Sequence, residues 1–186
     1  MSHIHDIKTF EVLACSGELP VTYLSINKSI RDQQYKDFAE EGITLVPYDK
    51  YKRNFLNKRD LKVFCKTWWI VYRYKEVVYK LTIAKGAVID EASIPWFFRF
   101  GLGTAHNQYV SIPSGMHDVL FAMKYMSFDD SNNVFSGALR WKKTPKPVIA
   151  RLMMGVRSVF GKHSYNSNDP STHWLNGFVN FEVVHS

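Results

Sequence analysis

The feature that most constrains the fold is a pair of segments rich in β-branched and aromatic residues, 61–74 and 77–90, separated by only two residues. This composition favours strands, and the two-residue separation favours a tight turn between them. The spacing therefore predicts an antiparallel hairpin. Large apolar groups occur on both faces of its first strand, with Trp69 on one face and Trp68 and Ile70 on the other. Either the sheet is covered on both sides or one side meets a partner.

After residue 90 the spacing of apolar residues changes from that of strands to that of helices. Four helices are predicted from their Ser, Thr or Pro start signals and apolar faces: 93–101, 111–125 (opened by Pro113), 127–141 and 144–161. A polar loop at 162–173 and a last strand at 174–184 follow. Strands followed by a run of helices predict the α+β class, with an antiparallel hairpin or sheet packed against about four short helices.

The first part of the chain is harder to assign. A short strand is predicted at 10–15, and a polar helix at 29–42 with Ser29 as its cap and Gly42 as its end. Because nothing in its pattern ties it to the hairpin, we predict that 1–56 is an N-terminal extension or arm. Residues 57–186 then form a single α+β domain.

Composition excludes several classes of protein. The chain has 186 residues, 46% hydrophobic and 22% charged, which suits one globular domain, and 15% aromatic, which is typical of interface-forming surfaces. The net charge is +7, but the Lys and Arg residues are scattered and no nucleic-acid-binding motif accompanies them, so we expect no nucleic-acid partner. No apolar stretch has the length of a membrane span and no signal peptide is recognisable, so we expect a cytoplasmic protein without membrane association.

The residues with chemical potential cluster in two stretches. Asp90 and Ser93 lie at the predicted strand-to-helix junction, and His117 and Asp118 lie in the next helix. A carboxylate beside an imidazole serves general acid–base catalysis, and the same groups bind divalent metals. The candidate catalytic residues are therefore Asp90, Ser93, His117 and Asp118. Asp90 and His117 are the candidate ligands of a divalent metal, the one cofactor this set suggests, and Arg157 is the candidate binding residue for an anionic group.

A structural role explains the same residues equally simply. Asp90 ahead of Ser93 can cap a helix, and a histidine in an apolar helix is more often a core residue bonded to its neighbours. Adjacent helical residues point about 100° apart, so His117 and Asp118 cannot both face one ion. A Ser93–His117–Asp triad lacks the glycine-flanked turn that exposes a nucleophile. Spacing alone therefore favours structure over catalysis.

The order of these motifs resembles a family of small tailed-phage and prophage proteins of unknown function. The family pattern is D-x-x-S-I-P, then H-D-x-L followed by an aromatic residue, then V-R-x-x-x-G, and it spans roughly residues 75–165. The matching residues here are Asp90, Ser93, Ile94, Pro95, His117, Asp118, Leu120, Phe121, Val156, Arg157 and Gly161. One departure is that the family's third-helix Asp falls at Asn132, with Asp129 one turn earlier as a substitute.

The resemblance implies a phage or prophage origin but no particular reaction. We expect a virion-associated structural or accessory protein of the tail or head–tail region, made in the host cytoplasm and then carried in the virion. Its partners would be other phage structural proteins or further copies of itself. The alternative is a metal-dependent or acid–base hydrolase that uses the Asp/His residues. Whether the chain is an enzyme stays open at this point.

Overall fold

The computed structural model describes residues 10–50, 61–89 and 105–184, with the backbone alone for 105–108. Among these residues the chain has the α+β class, with two antiparallel sheets and five helices. The seven strands are β1 (Phe10–Cys15), β2 (Val21–Leu24), β3 (Leu61–Phe64), β4 (Trp68–Tyr74), β5 (Val77–Ile83), β6 (Val88–Ile89) and β7 (Val179–Val183). The helices are α1 (Lys28–Glu40), α2 (Ala105–Met123), α3 (Phe128–Trp141), α4 (Lys146–Val156) and α5 (Val159–Ser167), with a 3-10 turn at Tyr48–Lys50.

The predicted hairpin is present as β4 and β5, which pair from Trp68 with Ile83 to Tyr74 with Val77. Lys75 and Glu76 form its turn, both at positive φ (49° and 63°), as the right-handed twist of a two-residue hairpin requires. The outer parts of the two predicted strands do not continue this hairpin. They form β3 and β6, which pair with each other and with β2 in a separate three-stranded sheet of order β2-β3-β6.

One face of the hairpin is buried and the other is partly open. In β4 the even positions from Trp68 to Tyr74 are buried, whereas Trp69, Val71 and Arg73 are half-buried. The outer face of the four-stranded sheet also carries two exposed ion pairs, Arg73 with Glu11 and Lys80 with Glu182. Of the two arrangements that the sequence allowed, the described residues therefore cover one side only.

The segment predicted as an N-terminal arm is, in its described part, built into both sheets. Strand β1 pairs with β4 and β2 pairs with β3, so the four-stranded sheet has the order β1-β4-β5-β7. Phe10 packs against α3 so closely that a Cβ at Gly137 would collide with its side chain. The arm prediction was wrong for these residues because strand pairing between distant segments leaves no local signal. The boundary at residue 56 falls in 51–60, outside the description.

The main core lies between the inner face of the four-stranded sheet and helices α2 and α3. A second cluster joins α2 and α3 to α4 through Val110, Phe135, Leu139, Ile149, Leu152 and Val156. The last predicted strand is confirmed as β7, which pairs with β5 along the sheet edge. Helix α3 matches its predicted bounds, with Ser127 accepting a hydrogen bond from the Asp130 amide as its cap.

Helix α2 begins earlier than predicted and contains Pro113 in its interior. A proline there cannot donate to the carbonyl four residues back, which belongs to Tyr109. The hydroxyl of buried Thr144 donates to that carbonyl at 3.2 Å instead. The start signal at Pro113 was therefore wrong, because a side chain from a distant loop replaces the missing donor.

The predicted helix 144–161 is two helices. Helix α4 ends at Val156 and Ser158 caps α5, accepting a hydrogen bond from the Gly161 amide at 3.2 Å. Part of the predicted loop at 162–173 is thus helical. In α1 the cap is Asn27 rather than Ser29, whose amide the Asn27 side chain binds. The predicted helix at 93–101 lies outside the described residues. In the ranges the structure describes, no helix combines the length and apolar character needed to cross a bilayer.

Candidate functional site

His117 lies in the second half of α2 and faces α3. Its Nε2 is 3.0 Å from Oδ1 of Asn132, and both residues are buried. The imidazole ring packs between two phenyl rings, with centroid distances of 4.6 Å to Phe121 and 4.7 Å to Phe135. We call His117, Asn132, Phe121 and Phe135 the His117 site. Its histidine is surrounded by apolar side chains and holds one polar neighbour.

Burial sets the protonation state of this histidine. Removal from water disfavours the imidazolium and lowers the pKa of His117 to about 4, and the hydrogen bond with Asn132 opposes this only in part. His117 is therefore neutral at pH 7. An amide oxygen can only accept, so the ring proton resides on Nε2 and is donated to Asn132. A histidine with so low a pKa is a weak general base.

Several buried polar atoms accompany the pair. Asn132 Nδ2, Ser131 Oγ, Ser114 Oγ and Tyr72 OH have no hydrogen-bond partner within the described part of the chain. Buried polar groups without partners lower stability, so α2 and α3 carry more polarity at their contact than packing alone requires.

The other predicted site residues are not gathered at His117. Asp118 is buried but lies about 100° further around α2. Asp90 and Ser93 fall in 90–104, which the structure does not describe. Their predicted catalytic and metal roles, including the Asp90–His117 metal pair, remain predictions. Asp129 is exposed at the start of α3, so it does not replace the acid of the family pattern beside the buried His117.

Arg157 belongs to a different polar network. Its Nη2 donates to Oδ1 of Asn133 at 2.6 Å, and Asn133 Nδ2 donates to the Tyr74 hydroxyl at 3.3 Å. That hydroxyl donates to Asp130 at 2.7 Å, and Lys75 donates to the same carboxylate oxygen. Partial burial acts to raise the pKa of Asp130, but the hydrogen bonds from Lys75, Tyr74 and Ser127 lower it overall. This network ties the hairpin turn to α3 and to the end of α4.

The late Val-Arg-Gly element has a packing explanation. A Cβ at Gly161 would collide with the carbonyl oxygen of Val156, so the close turn between α4 and α5 needs glycine there. Arg157, the C-cap of α4, projects from this turn to Asn133. The element therefore positions two helices against α3, and its arginine already has a neutral partner.

A metal centre would need several ligands in one place. Across residues 10–50, 61–89 and 109–184, no group of three or more His, Cys, Asp or Glu side chains is close enough to hold an ion. His117 offers one ring nitrogen, Nδ1, because Nε2 is bonded to Asn132. Within these ranges the arrangement is that of a packed core histidine.

Sequence reasoning missed two features of this region. Asn132 was noted only as a departure from the family pattern, yet it is the hydrogen-bond partner of His117. His173 was not singled out, although burial also lowers its pKa to about 4 and its Nδ1 accepts the Leu175 amide hydrogen. The i, i+15 separation of His117 and Asn132 across a turn was the available signal for the first, and nothing local indicated the second.

Comparison with known proteins gives no further identification. No family model matches the chain, and no curated protein or solved structure is significantly similar to it.

Proposed function

We propose that this chain is a phage-encoded, virion-associated structural or accessory protein of the tail or head–tail region, acting through contacts with other proteins of the particle. The observation that carries the proposal is the His117 site. Its histidine is buried between two phenyl rings and bonded to Asn132, with a pKa of about 4. These are properties of a residue that stabilises a core.

The phage origin rests on the motif resemblance, and the role in protein contacts rests on the surface. Ten large apolar side chains are exposed in the described residues, including Ile26, Met154, Val159 and Phe160. Exposed apolar groups that cluster mark interaction sites. The protein would be made in the host cytoplasm and then assembled into the virion, beside other phage structural proteins or further copies of itself.

The alternative is a metal-dependent or acid–base hydrolase with Asp90, Ser93, His117 and Asp118 at its centre. It makes a different demand on the same residues. A hydrolase needs His117 for activity but not for folding, whereas a core histidine is needed for folding. The two functions can therefore be separated by one set of variants.

The deciding experiment measures metal content and stability on the untagged protein and on His117→Ala and Asp90→Asn. We expect no stoichiometric metal, and a loss of about 1–3 kcal/mol in the free energy of unfolding for His117→Ala, because Asn132 loses its buried partner. The matched control is His163→Ala, since His163 is exposed, and it should change stability by less than about 0.5 kcal/mol. A bound metal lost from both His117→Ala and Asp90→Asn, with folding intact, would establish the hydrolase instead.

Location is tested separately. An antibody against the purified protein should detect it in density-purified particles from cells that carry the gene. Detection in the soluble lysate alone would contradict a virion role.

A further inference from the structure

The positive charge of the chain is concentrated in one segment. Residues 131–168 contain no Asp or Glu, and they contain seven cations: Arg140, Lys142, Lys143, Lys146, Arg151, Arg157 and Lys162. The whole chain has 24 Lys and Arg and 17 Asp and Glu, so the 17 basic residues elsewhere equal the acidic ones. The entire net charge of +7 therefore resides in α3, α4 and α5, and the expectation that the cations are scattered was wrong.

An apolar group lies at the corner of this cationic segment. Met154 near the end of α4 and Val159 and Phe160 in the first turn of α5 are 66%, 83% and 69% exposed. The tight turn at Ser158 and Gly161 joins the two helices, and Arg157 and Lys162 are exposed on either side of Val159 and Phe160 in the chain. We call Met154, Arg157, Val159, Phe160 and Lys162 the corner surface.

The first turn of α5 stays exposed although the helix is firmly held at its other end. The Tyr165 hydroxyl donates to the Met126 carbonyl at 2.8 Å, and its ring packs on Phe121 and Phe128. Asn168 donates to the Phe121 carbonyl. The end carrying Tyr165 is thus fixed to the core while Val159 and Phe160 project. Exposed valine and phenylalanine side chains gain most when a partner removes them from water.

From this geometry we propose that the corner surface docks an acidic segment of a partner protein, one that presents at least one apolar side chain to Phe160. An apolar centre of Phe and Met with Arg and Lys at its rim has the composition of a protein–protein interface. A segment without acids attracts an acidic partner and repels a basic one. The inference rests on the proposed function, in that it names the chemistry of the partner in the particle.

Other occupants fit less well. A second copy in a two-fold contact would place this cationic surface against itself. A lipid surface needs a continuous apolar face along a helix, whereas beyond its first turn α5 exposes Lys162, His163, Asn166 and Ser167. A nucleic acid would use aromatic stacking, and here one phenyl ring is accompanied by the aliphatic Val159 and Met154.

The test measures binding of a short fluorescent peptide that carries Glu and Asp around one Leu and one Phe, by anisotropy at two salt concentrations. The full chain should bind it, and more weakly at high salt, since exposed charges are screened. Phe160→Ser combined with Lys162→Glu should weaken binding by about tenfold or more. The matched control is Ile26→Ser combined with Lys36→Glu, because Ile26 is 68% exposed and Lys36 is exposed on α1, remote in sequence from the corner. This control should keep binding within about twofold.

Each other result overturns the proposal. A peptide in which Ser replaces Leu and Phe should bind weakly, and equal binding would mean attraction by charge alone. Tighter binding to a single-stranded oligonucleotide of equal charge, or to phosphatidylserine vesicles, would identify a nucleic-acid or lipid site. Binding to none of these probes would leave the corner surface without an acidic partner. Peptide binding without the protein in purified particles would defeat the virion role alone, and the reverse result would defeat the docking site alone.

Discussion

The His117 site and the corner surface place their polar and apolar groups in opposite ways. At the first, an imidazole and an amide are buried among phenyl rings, and at the second, a phenyl and two aliphatic side chains project into water. Both arrangements lower stability relative to ordinary packing. The buried pair is satisfied within the chain, whereas the exposed apolar group is not covered by any described residue. The first therefore serves the fold, and the second is available to a partner.

The comparison is broken most directly by two phenylalanines. Phe135 is 1% exposed beside His117 and Phe160 is 69% exposed at the corner. Phe135→Ala should lower the free energy of unfolding by about 3–5 kcal/mol, since it leaves a cavity between α2, α3 and α4. Phe160→Ala should change it by less than about 0.5 kcal/mol. Urea denaturation measures both, and a similar loss for both variants would show that the corner belongs to the core.

Acid should weaken the His117 site. The pKa of His117 is about 4 in the folded protein against 6.5 for the model imidazole, so between these values the unfolded chain binds a proton that the folded chain does not. Its contribution is fully present above pH 6.5 and falls by about 3 kcal/mol as the pH drops to 4.

The measurement is urea denaturation at several pH values for the parent protein and for His117→Gln, which keeps an amide but does not titrate. The variant should lose less stability between pH 6.5 and 4. It will keep some pH dependence, because burial lowers the pKa of His173 in the same direction. Identical pH profiles for the two proteins would mean that His117 is not buried in solution.

The smallest effect is expected at Thr144. Thr144→Val keeps the shape of the side chain but removes the hydroxyl that donates to the Tyr109 carbonyl, so the free energy of unfolding should fall by about 1 kcal/mol. Thr144→Ser, which keeps the donor, should restore part of that loss. If Val and Ser variants melt together, the missing helical donor at Pro113 is met in another way.

Much of the local structure was predictable because its signals are local. The alternation of Trp68, Ile70 and Tyr72, the two-residue turn and the Ser127 cap all lie within a few residues of what they determine. The two sheets were not predictable, since they depend on which distant strands pair, as β1 does with β4. The interior proline of α2 misled for the same reason, since its compensation comes from Thr144.

The candidate site divides along the same line. The position of His117 on an apolar helix face could be read from spacing, but its partner Asn132 lies on the next helix. The resemblance pointed to that position only as a mismatch. The corner surface was visible in composition, yet it is defined by a lack of acids over 131–168 rather than by a dense run of cations. Counting cations alone directed attention to residues 50–62.

The order of strands in the four-stranded sheet also governs how the chain matures on the ribosome. The hairpin β4–β5 occupies the centre, whereas one edge comes from β1 and the other from β7, about a hundred residues after β5. During synthesis the free edge of β5 waits for all of the described helices to emerge before β7 covers it. An uncovered edge can pair with a neighbouring nascent chain, so slow translation or crowded polysomes should favour aggregation of this protein before it is complete.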